Sequence, residues 1–299
     1  MVKVRVPATS ANLGPGYDTM GMAFNLYNYV TMEESGTDLS ILVQGEGKGD
    51  VPLNDDNIVF QAACQVFQEV DYHPKGLKIL LENNIPVARG LGSSASIIVG
   101  GLMAANIISG EKLDREHLLQ LAIKMEGHPD NVAPAFLGGV VVTAGMNEQL
   151  KYMKIEPPLG LNAVAAIPDF PLATKTAREA IPKDVSLSDA VFNIGHASLL
   201  VAALMKSDFN LLGKVMEDKI HQKYRAPLIP GMEKVFAAAK KAGAISVTLS
   251  GAGPTLIAFT LGKEKQIAQA MKDGFAHFNI NCRTIYLVPE RDGAVVMLK

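Results

Sequence analysis

A glycine- and serine-rich turn, residues 86–96 (PVARGLGSSAS), is the feature that most constrains how this chain folds. It follows an apolar run at residues 77–81 that is typical of a strand and opens an apolar run at residues 95–108 that is typical of a helix. A helix that begins in such a turn directs several unpaired backbone N–H groups, and the positive end of its dipole, at one place. Gly90 and Gly92 let the backbone bend and approach a ligand without a Cβ in the way. The turn therefore predicts a phosphate-binding site.

Two familiar phosphate loops are excluded. The P-loop pattern requires a lysine that residues 86–96 lack, and the glycine spacing of the Rossmann fingerprint is not matched. A tight turn whose serines cap a helix is the alternative that this motif alone leaves open.

Composition limits the classes of function. The chain has 299 residues, enough for one large domain or two ordinary ones, and 48% of them are hydrophobic. A net charge of -2 without a basic block predicts no nucleic-acid partner. Cys64 and Cys282 show no pairing or metal-ligand spacing, which favours a reducing, cytoplasmic location. We expect no signal peptide, because the chain opens directly on a strand pattern, and no membrane span, because every long apolar run has polar interruptions.

The hydrophobic pattern predicts an α+β protein, because strands and helices are segregated rather than strictly alternating. Val2, Val4 and Val6 alternate with charged residues, as in a half-buried strand, and Asp114 is placed to cap a helix. The predicted strands are 2–6, 26–32, 39–43, 77–81, 139–143, 161–167, 244–249, 256–260 and 283–288. The predicted helices are 57–70, 95–108, 114–126, 188–206, 209–220, 230–241 and 263–278.

Three polar, glycine-rich loops lie far apart in the sequence. They are residues 7–18 (PATSANLGPGYD), residues 86–96 and residues 250–255 (SGAGPT). Together they resemble the three motifs of the GHMP kinase family of small-molecule kinases, and the resemblance covers the whole chain.

The resemblance implies a two-domain architecture with the active site in the cleft between the domains. Residues 1–157 would form an N-terminal nucleotide-binding domain similar to the second domain of ribosomal protein S5. Residues 158–299 would form a ferredoxin-like domain, with the boundary near the PPLG segment at 157–160.

The activity that the resemblance implies is ATP-dependent phosphoryl transfer to an alcohol. Residues 7–18 look most like those of the family members that phosphorylate L-homoserine on the route to threonine. Two alternatives stay open, namely a kinase for another small alcohol and a nucleotide sensor that has lost catalysis. The family also implies a possible homodimer.

The resemblance assigns the nucleotide side of the site. The residues that would bind ATP are Pro86, Val87, Ala88, Arg89, Gly90, Leu91, Gly92, Ser93, Ser94, Ala95, Ser96, Gly251 and Gly253. It places Mg2+ at Ser94 and Glu126, both of which offer the hard oxygen ligands that this ion prefers. With no P-loop lysine, backbone amides, the helix end and Mg2+ must neutralise the phosphates, and phosphoryl transfer needs little more than this.

The substrate side needs partners for an ammonium, a carboxylate and a hydroxyl group. By resemblance, Asp18 would bind the ammonium and Asn12 the hydroxyl or the carboxylate. Arg178 and Arg225 match substrate-binding positions, and arginine forks suit carboxylates. His128 matches a further substrate-binding position, although a loop histidine could simply cap a helix.

The group that accepts the proton of the substrate hydroxyl is left open. Asp130 and Asn131 resemble an Asp-Asn pair in which some relatives use the aspartate as base, while others manage without a dedicated base. The catalytic candidates are Asn12, Asp130, Asn131 and Thr174, the last as a hydrogen-bond donor near the transferred phosphoryl group.

Overall fold

The computed structural model describes residues 1–145 and 150–299. In this part of the chain the strands are β1 (Val2–Ala11), β2 (Met20–Glu34), β3 (Leu39–Gly45), β4 (Leu77–Asn83), β5 (Val140–Ala144), β6 (Lys151–Ile155), β7 (Asn162–Pro168), β8 (Ser246–Leu249), β9 (Leu256–Thr260), β10 (Cys282–Leu287) and β11 (Val295–Leu298). The helices are α1 (Ile58–Glu69), α2 (Ser93–Ile108), α3 (Arg115–Glu126), α4 (Pro129–Leu137), α5 (Thr174–Glu179), α6 (Leu187–Lys206), α7 (Phe209–Val215), α8 (Gln222–Arg225), α9 (Met232–Lys241) and α10 (Glu264–Ala276).

The first sheet is built around the long strand β2. β2 pairs antiparallel with β1 on one side and with β4 and β5 on the other, and the order along the main path is β11-β1-β2-β4-β3. β3 and β4 are parallel because α1 forms the crossover between them. The alternating valines of β1 and the apolar faces of α1 to α4 share one core, which leaves the start of α2 at the edge of this layer.

The second sheet, β10-β7-β9-β8, is entirely antiparallel. α9 and α10 cover one of its faces. Its other face, through β7 and β9, packs with α6 and α7 against residues of β1, β2 and β5. The two sheets are therefore joined by an apolar interface, and the loops that follow β1, β4 and β8 meet beside it.

The main correction to the predicted elements concerns where the first strand, β1, ends. The sequence predicts a loop over residues 7–18, but β1 continues to Ala11 because Ala8 to Ala11 pair in register with β2. The predicted helix 209–220 is wrong beyond Val215, because the chain there folds around the Asp218 carboxylate, which accepts backbone N–H groups. The sequence also gives no sign of β6, β11, α5 and α8.

The other predicted elements are confirmed to within a few residues, except that β2 begins at Met20, well before the predicted strand 26–32. Asn57 and Asp114 cap α1 and α3, each accepting a backbone N–H. The sheets change between β6 and β7, close to the predicted domain boundary at 157/158, which itself stays a prediction. The final strand, β11, pairs with β1 and so lies in the first sheet, although its residues fall within the predicted C-terminal domain 158–299.

Candidate active site

A cavity of about 340 Å³ lies where the three glycine-rich motifs meet. Most of the predicted site residues contribute to its wall. They are Asn12, Asp18, Pro86, Val87, Ala88, Arg89, Gly90, Gly92, Ser93, Ser94, Glu126, His128, Asp130, Asn131, Thr174, Arg178, Arg225 and Gly251.

Four predicted ATP-binding residues do not line this cavity. Leu91 and Ala95 are buried in the two apolar cores on either side of the motif. The Ser96 hydroxyl is buried and donates to the Ser93 carbonyl oxygen at 2.7 Å, because it closes the first turn of α2. Gly253 is buried in the 250–255 turn, where its backbone packs against Ile229 and Leu249.

The start of α2 presents free backbone donors to the cavity. Gly92 is the N-cap, with a left-handed φ of 70°, and a Cβ there would lie 1.9 Å from Thr9 Oγ1. The first N–H that bonds within the helix is that of Ser96, to the Gly92 carbonyl oxygen at 3.0 Å. The N–H groups of Ser93, Ser94 and Ala95 precede it and, with the helix dipole, favour an anion at this point.

The three motifs hold one another by hydrogen bonds. Ser250 Oγ donates to the Gly90 carbonyl oxygen at 2.6 Å and lies 2.9 Å from Ser10 Oγ. The Gly251 N–H donates to the Ala11 carbonyl oxygen at 3.2 Å. A Cβ on Gly90 would lie 2.3 Å from the Ser250 carbonyl oxygen, so only glycine allows this approach.

Ser94 and Glu126 face each other across the opening of the phosphate loop. Ser94 Oγ donates to Glu126 Oε2 at 3.0 Å. Burial raises the pKa of the Glu126 carboxyl, and the His128 charge and the Ser94 hydrogen bond offset this only in part. The carboxylate therefore lies in a site where a cation would stabilise it. The described residues contain no cluster of three or more His, Cys, Asp or Glu side chains that could hold a metal ion.

Two predicted substrate-binding residues are bonded to each other. The Nη1 and Nη2 nitrogens of Arg178 donate to Oδ2 and Oδ1 of Asp18, both at 2.8 Å, and Nη1 also donates to Tyr17 Oη at 3.2 Å. The hydrogen bond with Asp18 raises the pKa of Arg178, so the guanidinium is firmly charged. Within the described residues its Nε–H, on the other edge of the guanidinium, has no partner.

Asn12 and Arg225 are held through Gly251. Asn12 Nδ2 and Arg225 Nη1 both donate to the Gly251 carbonyl oxygen, at 3.1 and 2.9 Å. Asn12 Oδ1 accepts the Asp18 N–H at 3.0 Å, which fixes the left-handed turn that carries Asp18. Arg225 also donates from Nε to the Ala177 carbonyl oxygen at 3.0 Å, and its side chain is 2% exposed. Burial lowers the pKa of Arg225.

His128, Asp130 and Asn131 lie at the start of α4 rather than in a loop. His128 is the N-cap residue, and its Nδ1 lies 2.6 Å from Asp130 Oδ1. Burial lowers the pKa of His128, but the Asp130 hydrogen bond and the charges of Asp130 and Glu126 raise it above its usual value on balance. Asn131 Oδ1 accepts a hydrogen bond from Thr9 Oγ1 at 2.9 Å, which leaves the amide nitrogen of Asn131 toward the cavity. Thr174 is the exposed first residue of α5.

Sequence reasoning missed several residues of the site. An apolar part of the cavity wall comes from Val51, Ile58, Leu81 and Ile97, which belong to separate elements and carry no local signal. Asn28 holds the phosphate motif from β2, since its Oδ1 accepts the Ile85 N–H at 2.9 Å and its Nδ2 donates to Ser96 Oγ at 2.9 Å. Asn28 is one of two asparagines in β2, and nothing in the local pattern distinguishes it from Asn25.

Both halves of the chain match family models. The model described as GHMP kinases N terminal domain matches residues 57–139, and the model described as GHMP kinases C terminal matches residues 200–277. The chain belongs to the GHMP kinase family. The expected two-domain fold of this family, with mixed α and β content, is thereby confirmed.

Full-length relatives are homoserine kinases by name. The chain is 50% identical over 297 residues to homoserine kinase of Moorella thermoacetica, covering 99% of this chain and 100% of the relative. It is 45% identical over 299 residues to homoserine kinase of Carboxydothermus hydrogenoformans, covering 100% of this chain and 97% of the relative.

Solved structures agree with this GHMP kinase fold. The crystal structure of homoserine kinase from Cytophaga hutchinsonii superposes with a TM-score of 0.91 at 33% identity, covering 99% of this chain and 97% of that chain. Mevalonate kinase from Methanococcus jannaschii gives a TM-score of 0.70 at 15% identity, covering 96% and 98%, a likeness of fold alone.

Proposed function

We propose that this GHMP kinase is a homoserine kinase, which transfers the γ-phosphoryl group of ATP to the side-chain hydroxyl of L-homoserine in threonine biosynthesis. The observation that carries the proposal is that one cavity joins the phosphate-binding start of α2 to the paired charges of Arg178 and Asp18. Full-length relatives that bear the same name at 40–50% identity support it.

The nucleotide side is supplied mainly by backbone groups. The N–H groups at the start of α2 and the glycine turn at residues 90–92 cradle the phosphates, and the α2 dipole favours their charge. The apolar wall formed by Val51, Ile58 and Leu81 suits the planar nucleobase. Positioning of this kind provides most of what phosphoryl transfer requires from a protein.

Ser94 and Glu126 fit a Mg2+ ion that enters with the nucleotide. Their oxygens lie 3.0 Å apart at the phosphate loop, and among the described residues no lysine, arginine or histidine forms an ion pair with the Glu126 carboxylate. When bound, Mg2+ would neutralise charge on the phosphate oxygens. Ser94 and Glu126 would act by holding hard oxygen ligands at a fixed place beside the α2 N-terminus.

The substrate side offers a partner for each group of an amino-acid alcohol. The Asp18 carboxylate suits the ammonium, and because Arg178 engages it with only one edge, the Nε edge of that guanidinium is free for the carboxylate. Arg225, with Nη1 and Nε already engaged, offers Nη2 to the same group. His128 and Asn12 complete the pocket.

Neither Asp130 nor Asn131 is well placed to be a dedicated base. Asp130 is 2% exposed and bonded to His128, and Asn131 carries an amide, which cannot accept a proton at neutral pH. We assign Asn131, Asn12 and Thr174 the task of orienting the hydroxyl and the transferred group by hydrogen bonds. The hydroxyl proton then passes to an oxygen of the transferred phosphoryl group and from there to water, so that no protein side chain accepts it.

A coupled ADP-release assay with ATP and Mg2+ tests the function. The acceptor panel contains L-homoserine, D-homoserine, L-serine, mevalonate and galactose. We expect strong and selective turnover of L-homoserine. Turnover of another member of the panel without L-homoserine would favour the alternative, a GHMP kinase for a different small alcohol. ATP binding without turnover of any acceptor would favour a sensor.

We also propose that the protein is a homodimer that pairs through α6. Its exposed apolar residues Leu187, Val191, Ile194 and Met205 follow the heptad spacing of helices that pack side by side. A second copy of the same helix would cover this apolar stripe.

Sedimentation at micromolar concentration tests the dimer. The wild-type protein should sediment as a dimer and Ile194→Lys as a monomer. Leu159→Lys, at a residue that is 80% exposed and outside α6, should leave the dimer intact. A wild-type monomer, or a dimer that Ile194→Lys leaves unchanged, would contradict the proposal.

The helix α6 bears on the expected absence of a membrane span. Among the described helices it alone is long and apolar enough to cross a membrane, and 22% of its apolar window is buried. Its Asn193 donates to the Asp218 carboxylate at 2.7 Å and to the Pro15 carbonyl oxygen at 3.1 Å, contacts that fix α6 beside the active site. These contacts favour a helix that packs on this protein over one that spans a membrane, and the two free cysteines favour a cytoplasmic location.

A further inference from the structure

A buried polar cluster lies behind the substrate end of the cavity. The side chains of His221 and Asp218 are fully buried, and Asn193 is 3% exposed. Buried polar groups are costly unless their hydrogen bonds are made, so such a cluster needs a reason to exist. None of these three residues lines the cavity, and the phosphoryl-transfer steps above do not use them.

Asp218 fixes the short helix that carries Arg225. One carboxylate oxygen accepts the Asn193 amide at 2.7 Å and the Ile220 N–H at 3.0 Å, and the other accepts the N–H groups of His221 and Gln222 at 2.8 and 2.7 Å. These donors include the first N–H groups of α8, which a carboxylate stabilises. Arg225 is the last residue of α8.

His221 connects Arg225 to the loop that carries Asp18. Its Nε2 lies 2.9 Å from the Gly14 carbonyl oxygen, which can only accept, so Nε2 carries the proton. Its Nδ1 lies 3.3 Å from Arg225 Nη1, which can only donate, so Nδ1 accepts. Both contacts are satisfied together only by the neutral Nε2–H tautomer. Burial lowers the pKa of His221, in agreement with a neutral ring.

Tyr17 completes the connection. Its ring stacks on His221, with centroids 5.3 Å apart and an interplanar angle of 25°. Arg225 and Arg178 both lie near this ring, at 5.4 and 5.9 Å from its centroid. The histidine and the tyrosine thus form one wall against which both guanidinium groups are set.

We propose that His221 is a positioning residue that fixes Arg225 relative to Gly14 and Tyr17, so that both arginines are set for the amino-acid end of the substrate. The inference rests on the proposed homoserine kinase activity and extends it to a residue outside the cavity. Because the ring acts on substrate binding and not on the phosphate loop, its loss should raise KM for L-homoserine and leave KM for ATP unchanged.

Three substitutions separate the two contacts of the ring. In His221→Asn the side-chain oxygen branches from Cγ, as Nδ1 does, so the acceptor for Arg225 is kept while the Gly14 contact is lost. In His221→Gln the amide reaches further, as Nε2 does, so the Gly14 contact is kept while the acceptor for Arg225 is lost. His221→Phe keeps a ring to stack on Tyr17 and loses both contacts. His277→Gln, at an exposed histidine on α10's C-cap, is the matched control.

We expect KM for L-homoserine to rise about ten- to a hundredfold in His221→Phe, since it loses one hydrogen bond to a charged group and one to the loop. KM for L-homoserine in His221→Asn and in His221→Gln should lie between the values for the wild type and His221→Phe. In all three variants, kcat and KM for ATP should stay within about threefold of the wild type. In 15N NMR of the histidines, the wild type should show a neutral Nε2–H ring that is missing in His221→Gln.

Melting temperature is measured for every variant. A KM for L-homoserine that stays at the wild-type value in a folded His221→Phe would overturn the proposal, as would equal changes in KM for both substrates that follow the loss of stability. If the wild type does not phosphorylate L-homoserine, the proposed function itself fails, whatever the histidine variants do.

Discussion

Arg178 and Asp18 form a two-point ion pair, with both nitrogen–oxygen distances at 2.8 Å. The sequence analysis predicts that Arg178 binds the carboxylate of the substrate and that Asp18 binds its ammonium. In the structure they bind each other, so the pocket keeps opposite charges paired before a zwitterion arrives. Such pairing limits the cost of holding both charges in a partly enclosed site.

Substitution of Arg178 by alanine tests this arrangement. We expect kcat/KM for L-homoserine to fall about ten- to a hundredfold. This loss is smaller than that for a fully buried charge contact, because the Arg178 side chain is 35% exposed and solvent screens its charge. Steady-state kinetics should show KM for ATP within about threefold of the wild type. Arg291→Ala, at an exposed arginine that pairs with Glu156 outside the cavity, is the control.

A second substrate distinguishes two roles for Arg178, namely binding of the substrate carboxylate and holding of the Asp18 side chain. 3-Amino-1-propanol has the ammonium and hydroxyl of L-homoserine without its carboxylate. If Arg178 binds the carboxylate, the preference for L-homoserine over this amine shrinks in Arg178→Ala. Equal losses for both acceptors would mean that Arg178 only holds Asp18.

Local sequence patterns predicted most of the strands and helices, and they predicted that the turn at residues 86–96 opens a helix. The turn at residues 86–96 is predictable because its glycines and the helix that it opens are both features of the local sequence. The pocket behind it is assembled from distant residues, as in the contact of Ser250 with Gly90 and that of Asn28 with Ile85. A pairwise contact such as Arg178 with Asp18 depends on where α5 packs, and no pattern within either segment specifies it.

Gly92→Ala tests the close approach at the start of α2. A Cβ would strain the left-handed backbone and would lie 1.9 Å from Thr9 Oγ1, the hydroxyl that holds Asn131. Gly110→Ala is the matched control, with a φ of 96° and nothing within 4 Å of the added Cβ. The control should lose about 1–2 kcal/mol in urea denaturation from backbone strain alone. We expect Gly92→Ala to lose more than this and also to lower kcat and raise KM for ATP. Equal behaviour of the two variants would contradict the tight packing of this turn.

Asp130→Asn tests whether the reaction uses a dedicated base. Removal of a general base lowers kcat by about 10²–10⁴. Because Asp130 is bonded to His128 and 2% exposed, we expect kcat in the variant to fall by less than about a hundredfold. Asp55→Asn, at an exposed aspartate, controls for the loss of one charge. A larger fall in kcat at unchanged melting temperature would assign Asp130 the base role.

The proposed role of Glu126 as a Mg2+ ligand can be tested through protein stability. Burial raises the pKa of its carboxyl in the folded protein, so its charged form is less favourable there than in the unfolded chain, and the charge destabilises the fold at neutral pH. Glu126→Gln removes the charge and keeps an oxygen that can accept from Ser94. In EDTA, we therefore expect a melting temperature at or above that of the wild type.

With Mg2+ and ATP the wild type should gain stability, whereas the variant should gain less and need about tenfold more Mg2+ for half its maximal rate. Glu111→Gln, at an exposed glutamate remote from the cavity, should behave as the wild type. EDTA should abolish turnover in the wild type, and full activity in excess chelator, or an unchanged Mg2+ requirement in Glu126→Gln, would remove Glu126 from the metal site.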